Sequence, residues 1–176
     1  MTELLVVGGI MALIAVIATP TVVRNIQVYR LSSAAGEVST MLKLARYEAI
    51  RRNTNVSCRI AQEGNEWVVW VDLNDDGTRQ DTESMLMLSG AVRVASSSDA
   101  PTAGSMGFVN VSTPWPANPI RFNFRGQINY GANAPSVYAV YLWRPSQPDY
   151  GFRALTLTPA GRTKSWRAAD GGPWTD

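Results

Sequence analysis

The chain has 176 residues, 45% of them apolar, and a net charge of only +2, which suits one domain of ordinary size plus a tethering helix and is too polar for a polytopic membrane protein. It has no His and one Cys, Cys58, so Ser-His and Cys-His nucleophiles, an intrachain disulfide and a Cys-based metal site are excluded, and we read the chain as a non-enzyme. Residues 1–60 carry seven bases and three acids, 61–100 two bases and eight acids, and 121–176 seven bases and three acids, so an acidic middle separates two basic ends and the overall charge gives no argument for nucleic acid.

The N-terminus, "MTELLVVGGIMALIAVIATP", places a carboxylate, Glu3, at the threshold of an uncharged run from Leu4 to Ala18. That run holds about 15 residues, against the ~20 of a bilayer crossing. No Lys or Arg precedes it, so a removable secretory signal, which needs a basic leader, fits poorly. Beyond Pro20, apolar residues recur at Val23, Ile26, Leu31, Ala34, Val38, Met41, Leu42, Ala45 and Ala49, mostly three or four apart, which is a helical stripe. Arg24, Gln27, Arg30, Glu37, Lys43, Glu48, Arg51 and Arg52 fall on the other face, as in a helix that packs one side on a domain. Leu4 to Asn53 therefore reads as one helix, on the order of 75 Å long at ~1.5 Å per residue, with a first half that lacks a partner in its own domain. We divide the chain into an apolar helix half (1–23), an amphipathic helix half (24–53) and a strand domain (54–176).

Past Asn53 the period changes. "VSCRIA", "WVVWVDL", "SMLML", "VRVA", "IRFNF", "VYAVYLW" and "FRALTLT" are short β-branched and aromatic stretches between Gly, Pro, Asn and Asp. The expected fold is α+β: a long N-terminal helix covering a face of an antiparallel β-sheet domain. The longest irregular stretch is 96–119, and loops of that length are commonly functional or mobile. No internal repeat is present.

"TELLVVGGIMALIAVIATP" resembles the mature N-terminus of type IV pilins and pseudopilins, and "LKLARYEAIRRNTNVSC", "WVVWVDLNDDGTRQDTESMLML" and "IRFNFRGQI" resemble the GspH/FimT family of type IV minor pilins and type II secretion pseudopilins. The resemblance implies a pilin fold, held single-pass in the inner membrane with its domain in the periplasm and then assembled with other pilin or pseudopilin subunits into a pilus or pseudopilus, near the tip or in initiation. It also implies a prepilin peptidase that removes a short basic leader and methylates the new N-terminus. Aligned on Glu3, the chain starts about two residues later than the family pattern. Glu3 then pairs with the N-terminal amine of a neighbouring subunit as a register device, because a lone carboxylate in lipid is costly. Pro20 matches the family's helix-kinking proline. A membrane-anchored binding protein that never polymerises is the alternative from another class.

Two local patterns suggest ligands. Asp72, Asn74, Asp76, Gly77 and Glu83 match the spacing of a calcium loop, but Arg79 stands where an apolar residue normally sits and the flanks read as strands, so the residues read first as a tight polar hairpin. "TPAGRTKSW", 158–166, resembles the Gly-Arg-x-Arg motif that some FimT-type members use in DNA capture, with Gly161, Arg162 and Lys164 at the motif positions and Arg153 and Arg167 beside them. Lys keeps the phosphate attraction but not the bidentate geometry. The other reading of these cations is a solvated sheet edge. Cys58 reads as a buried thiol, and Trp67, Trp70, Tyr138 and Tyr141 read as core.

Overall fold

A computed structural model describes residues 2–88, 91–108, 110–128 and 137–176, apart from the side chains at positions 4, 5, 15, 17, 18 and 20. Helix α1 runs Thr2–Arg52 and continues through Pro20. Its ends follow the helix dipole, with Glu3 in the first turn and Arg51 and Arg52 in the last. It stops where Asn53 turns left-handed (φ 52°). There Asn53 N–H donates to Ile50 O (3.3 Å) and Thr54 N–H to Ala49 O (3.2 Å), a Schellman cap with Asn in the place Gly usually takes.

The buried stripe of α1 is Leu31, Ala34, Ala35, Val38, Met41, Leu42, Ala45 and Ala49. It follows the three-to-four spacing, but it begins later than the sequence suggests: Val23 and Ile26 are exposed. The contact of α1 with the domain starts at half-buried Gln27, whose side-chain oxygen accepts a hydrogen bond from Arg144.

The strands form two sheets. The first contains β1 (Val56–Glu63), β2 (Glu66–Asp72), β3 (Met85–Leu88) and β6 (Ile120–Phe122), in the order β3-β2-β1-β6. The second contains β4 (Arg93–Ala95), β7 (Val137–Trp143), β8 (Phe152–Leu157) and β9 (Thr163–Ala168), in the order β4-β7-β8-β9, and the short β5 (Val111–Ser112) runs parallel to β7. Apart from that one parallel pair the ladders are antiparallel. One core gathers the stripe of α1, Val56, Cys58 and Ile60 of β1, Val69 and Val71 of β2, and Tyr138, Val140, Leu142, Leu155 and Leu157 of the second sheet. Both sheets thus pack on the same helix.

The second sheet is covered on its other face as well. Ala139 and Tyr141 of β7, Phe152 and Ala154 of β8, Ala168 and Trp174 form a smaller cluster with Met106. This explains why "VYAVYLW" reads as an unbroken apolar run: both faces of β7 are buried. The long stretch 96–119 supplies part of that cover through a 3₁₀ turn at Ala103–Met106 and through β5. Trp174 pins it, its backbone N–H donating to Ser105 Oγ (2.9 Å) and its indole N–H to Pro101 O (3.1 Å).

Candidate functional site

The first half of α1 carries large apolar side chains that the described residues do not bury: Val6, Ile10, Met11, Leu13, Ile14 and Val16 are all exposed, Val16 at 73%. Glu3 is exposed and forms no ion pair among the described residues. Among the described residues no helix is long and apolar enough to cross a membrane. Burying each such side chain is worth ~1.5–3 kcal/mol, and a contiguous patch of this kind on a monomer marks an interaction surface. The side chain of Pro20 lies outside the described residues.

The acidic loop after β2 folds on itself. Asp72, fully buried, accepts hydrogen bonds from Arg59 Nε (2.6 Å), Gly77 N (2.9 Å) and Asp76 N (3.2 Å). Buried Glu83 accepts from Leu73 N (2.8 Å) and Gln80 N (3.1 Å). Asp76 accepts from Thr78 Oγ1 (2.7 Å) and N (2.8 Å), which holds its carboxyl below the usual range, and also from Asn74 (2.8 Å) and Gln80 (3.1 Å). The sequence pattern did not show Asp75, which takes the left-handed backbone position (φ 58°). Its carboxylate accepts from Ser57 Oγ (2.5 Å) and pairs with Arg121 (2.8 Å) and, more distantly, Arg59 (3.4 Å). Two arginines from β1 and β6 therefore offset the two acids from outside the loop. No group of three or more His, Cys, Asp or Glu side chains converges on a metal position among the described residues.

The basic C-terminal motif does not converge on one surface. Gly161 sits in the turn between β8 and β9 with φ 75°, where its N–H donates to Thr158 O (2.7 Å). A Cβ there would lie 2.4 Å from Gly126 O and 2.8 Å from Arg46 Nε. Arg46 in turn donates from Nε to Gly126 O (3.0 Å), so the turn after β6 is hydrogen-bonded to α1 and the turn after β8 packs against the same arginine. Arg46 is one of several bases along α1, and nothing in the residue pattern distinguishes it from the others. Arg162 is exposed, and Lys164 stacks over the Trp166 ring (4.0 Å) and pairs with Asp176 (2.9 Å). Arg153 and Arg167 face each other across β8 and β9, on the α1 side that Leu155 and Leu157 share. Arg153 donates from Nε to Ser32 Oγ (3.0 Å). Burial, and then the neighbouring Arg167 charge, pull the Arg153 guanidinium below its ordinary range. Cys58 is a fully buried free thiol, shifted upward by desolvation. Trp70, Tyr138 and Tyr141 are buried and Trp67 is half-buried against the core.

The model of the family described as "Type II transport protein GspH" matches residues 34–166. In fold, the chain is similar to the type IV minor pilin FimU of Pseudomonas aeruginosa in two crystal forms, each with 19% identity, a TM-score of 0.52 and 77% of this chain covered, and with 91% and 87% of the FimU chains covered. It also aligns with the minor pseudopilin EpsH from the type 2 secretion system of Vibrio cholerae, at 13% identity and a TM-score of 0.47, over 77% of this chain and 95% of that one. No curated protein matches the chain in sequence.

Proposed function

Since the chain belongs to the family of type II transport protein GspH, we propose that it works as a minor pilin or pseudopilin. Its contribution is structural: α1 inserts among the helices of other subunits, and the two-sheet domain stands outside that helical core. The observation that carries this reading is the row of exposed large apolar side chains on the first half of α1, among them Val6, Ile10, Met11, Leu13, Ile14 and Val16, which needs lipid or other helices around it in water. Before assembly the inner membrane holds this half, with the domain on the periplasmic side; afterwards neighbouring helices replace lipid. Glu3 then meets a positive N-terminus on the adjacent subunit and fixes the axial register, since the helix offers it no ion pair of its own. The prepilin peptidase acts upstream of this segment. The domain stands at or near the tip, where initiation takes place.

The test is a cysteine at Val16, with buried Cys58 as an inert background, oxidised in cells against a cysteine in the apolar helix of a co-expressed pilin. Cross-linked species in sheared fibres are expected. Cross-links confined to the membrane, with none in fibres, would instead support an anchored protein that never polymerises.

DNA capture is a second reading, supported by Arg153, Arg162 and Arg167, which form no ion pair among the described residues. It predicts duplex-DNA binding that weakens steeply with salt through counterion release and that falls in an Arg162→Ala, Lys164→Ala variant. Calcium at Asp72, Asn74, Asp76 and Glu83 is the proposal with least support, because protein donors already engage those carboxylates.

A further inference from the structure

The second sheet ends at β9, whose full-length partner among the described residues is β8 alone. Arg167 and Thr175 exchange both backbone hydrogen bonds, each 2.8 Å, in an isolated antiparallel bridge. The Arg167 N–H and C=O therefore point away from β8. Because strand residues alternate, the N–H and C=O of Ser165 and Thr163 point to the same free edge, whereas Lys164 O turns inward toward Thr156. The bridge pairs a single position of this edge, and no described residue pairs with Ser165 or Thr163 on that side. Its outer-face carboxylate, Asp176, already meets a cation of β9, Lys164, at 2.9 Å.

Between this edge and α1 lies a groove of about 420 Å³, with Ser32, Ala35, Gly36 and Ser39 along its helix side. These side chains are small, and a Cβ added at Gly36 would meet nothing within 4 Å. Lys43, Arg153 and Arg167 also line the groove, against the single acid Asp176. None of the three cations has an ion-pair partner among the described residues. Two guanidinium groups directly across a strand pair repel each other, so a fold that sets them side by side without an ion pair and with only Asp176 near them is matched to an anionic occupant.

We propose that the β9 edge receives an extended acidic segment of another subunit as an added strand. Its backbone would pair with Thr163 and Ser165, and its carboxylates would enter the groove against Arg153, Arg167 and Lys43. Strand addition of this kind takes affinity from main-chain hydrogen bonds and specificity from alternate side chains. Free backbone donors and acceptors in strand spacing favour a peptide over a nucleic-acid backbone, which would use the cations alone. The inference rests on the chain being an assembling subunit, but it is tested apart from fibre incorporation: a chain that enters fibres and fails the following assay refutes this inference only.

The probe is an eight-residue peptide alternating Glu and Thr, added to the full chain in neutral detergent, with amide hydrogen exchange read residue by residue. At least tenfold slower exchange is expected at Thr163 and Ser165, with little change at Lys164 and Trp166, whose amides already face β8. Ser165→Pro removes an outward donor from an edge strand, where proline is tolerated, and should abolish the protection. Gly36→Leu, which fills the groove from an exposed helix position, should do the same with α1 intact. A peptide with Lys in place of Glu should protect neither amide. Absence of protection by the Glu peptide, equal protection by the Lys peptide, or protection that survives both substitutions would each overturn the proposal. So would protection by duplex DNA alone, which would assign the groove to phosphate.

Discussion

Replacing Gly161 with Ala separates a ligand-binding glycine from a packing glycine. At φ 75° the position is left-handed, which costs an L-residue roughly 1–2 kcal/mol. The new methyl would also lie 2.4 Å from Gly126 O and 2.8 Å from Arg46 Nε. Neither neighbour yields easily, since Arg46 holds that same carbonyl at 3.0 Å and the Gly126 turn is closed by its own bond to Asn123 O at 2.8 Å. Strain plus displacement comes to roughly 2–4 kcal/mol, and at about 2–4 °C per kcal/mol for a chain of this size the midpoint of unfolding should fall by roughly 4–16 °C. The assay is thermal unfolding of the full chain in detergent, followed by circular dichroism. Arg162→Ala, at the exposed neighbouring position, should stay within about 0.5 kcal/mol of the parent. A Gly161→Ala midpoint within about 2 °C of the parent would refute the packing account and return the glycine to a role in ligand approach.

Removing the Glu83 carboxylate strands the Leu73 and Gln80 amides that it accepts from. Glu83→Ala should cost roughly 1–3 kcal/mol and speed tryptic cleavage after Arg79, and an unchanged cleavage rate would count against the capping role. Hydrogen bonds from Arg51 and then Arg52 hold the Glu48 carboxyl below its usual range. Its contribution is therefore complete above the unfolded value of about 4.3 and is lost as pH falls through the lower folded value. Glu48→Gln should flatten the decline of the unfolding midpoint below about pH 4.3; an acid limb of unchanged slope would contradict this. Leu42, fully buried in the helix stripe, should cost about 2–5 kcal/mol as Ala, whereas Val16→Ala should leave domain stability unchanged, because Val16 is largely exposed.

Much of the fold was legible in sequence because its signals are local. The three-to-four spacing from Leu31 to Ala49 marks the buried stripe, and β-branched runs mark the strands of both sheets. Val23 and Ile26 follow the same spacing but are exposed, since spacing defines a face and not whether the domain reaches it. Strand patterns do not encode sheet membership, so the division into two sheets was not visible. Nor was β9, whose polar residues suit an edge and resemble a turn. The acidic loop had the spacing of a calcium site, but the groups that offset its charge, Arg59 and Arg121, come from other strands. The basic motif likewise separates by side-chain direction: Gly161 is buried by packing, Lys164 is tied to Asp176, and Arg153 and Arg167 face α1.

The central claim is that α1 assembles among other pilin helices with Glu3 setting the register. Its most direct measurement is the amount of this chain in sheared fibres relative to the membrane fraction, compared between the parent and Glu3→Ala. The account predicts that the parent enters fibres and that Glu3→Ala remains in the membrane at parental abundance, with an unchanged domain unfolding midpoint. Equal incorporation of Glu3→Ala would contradict the register role, and absence of the parent from fibres would contradict the subunit reading itself.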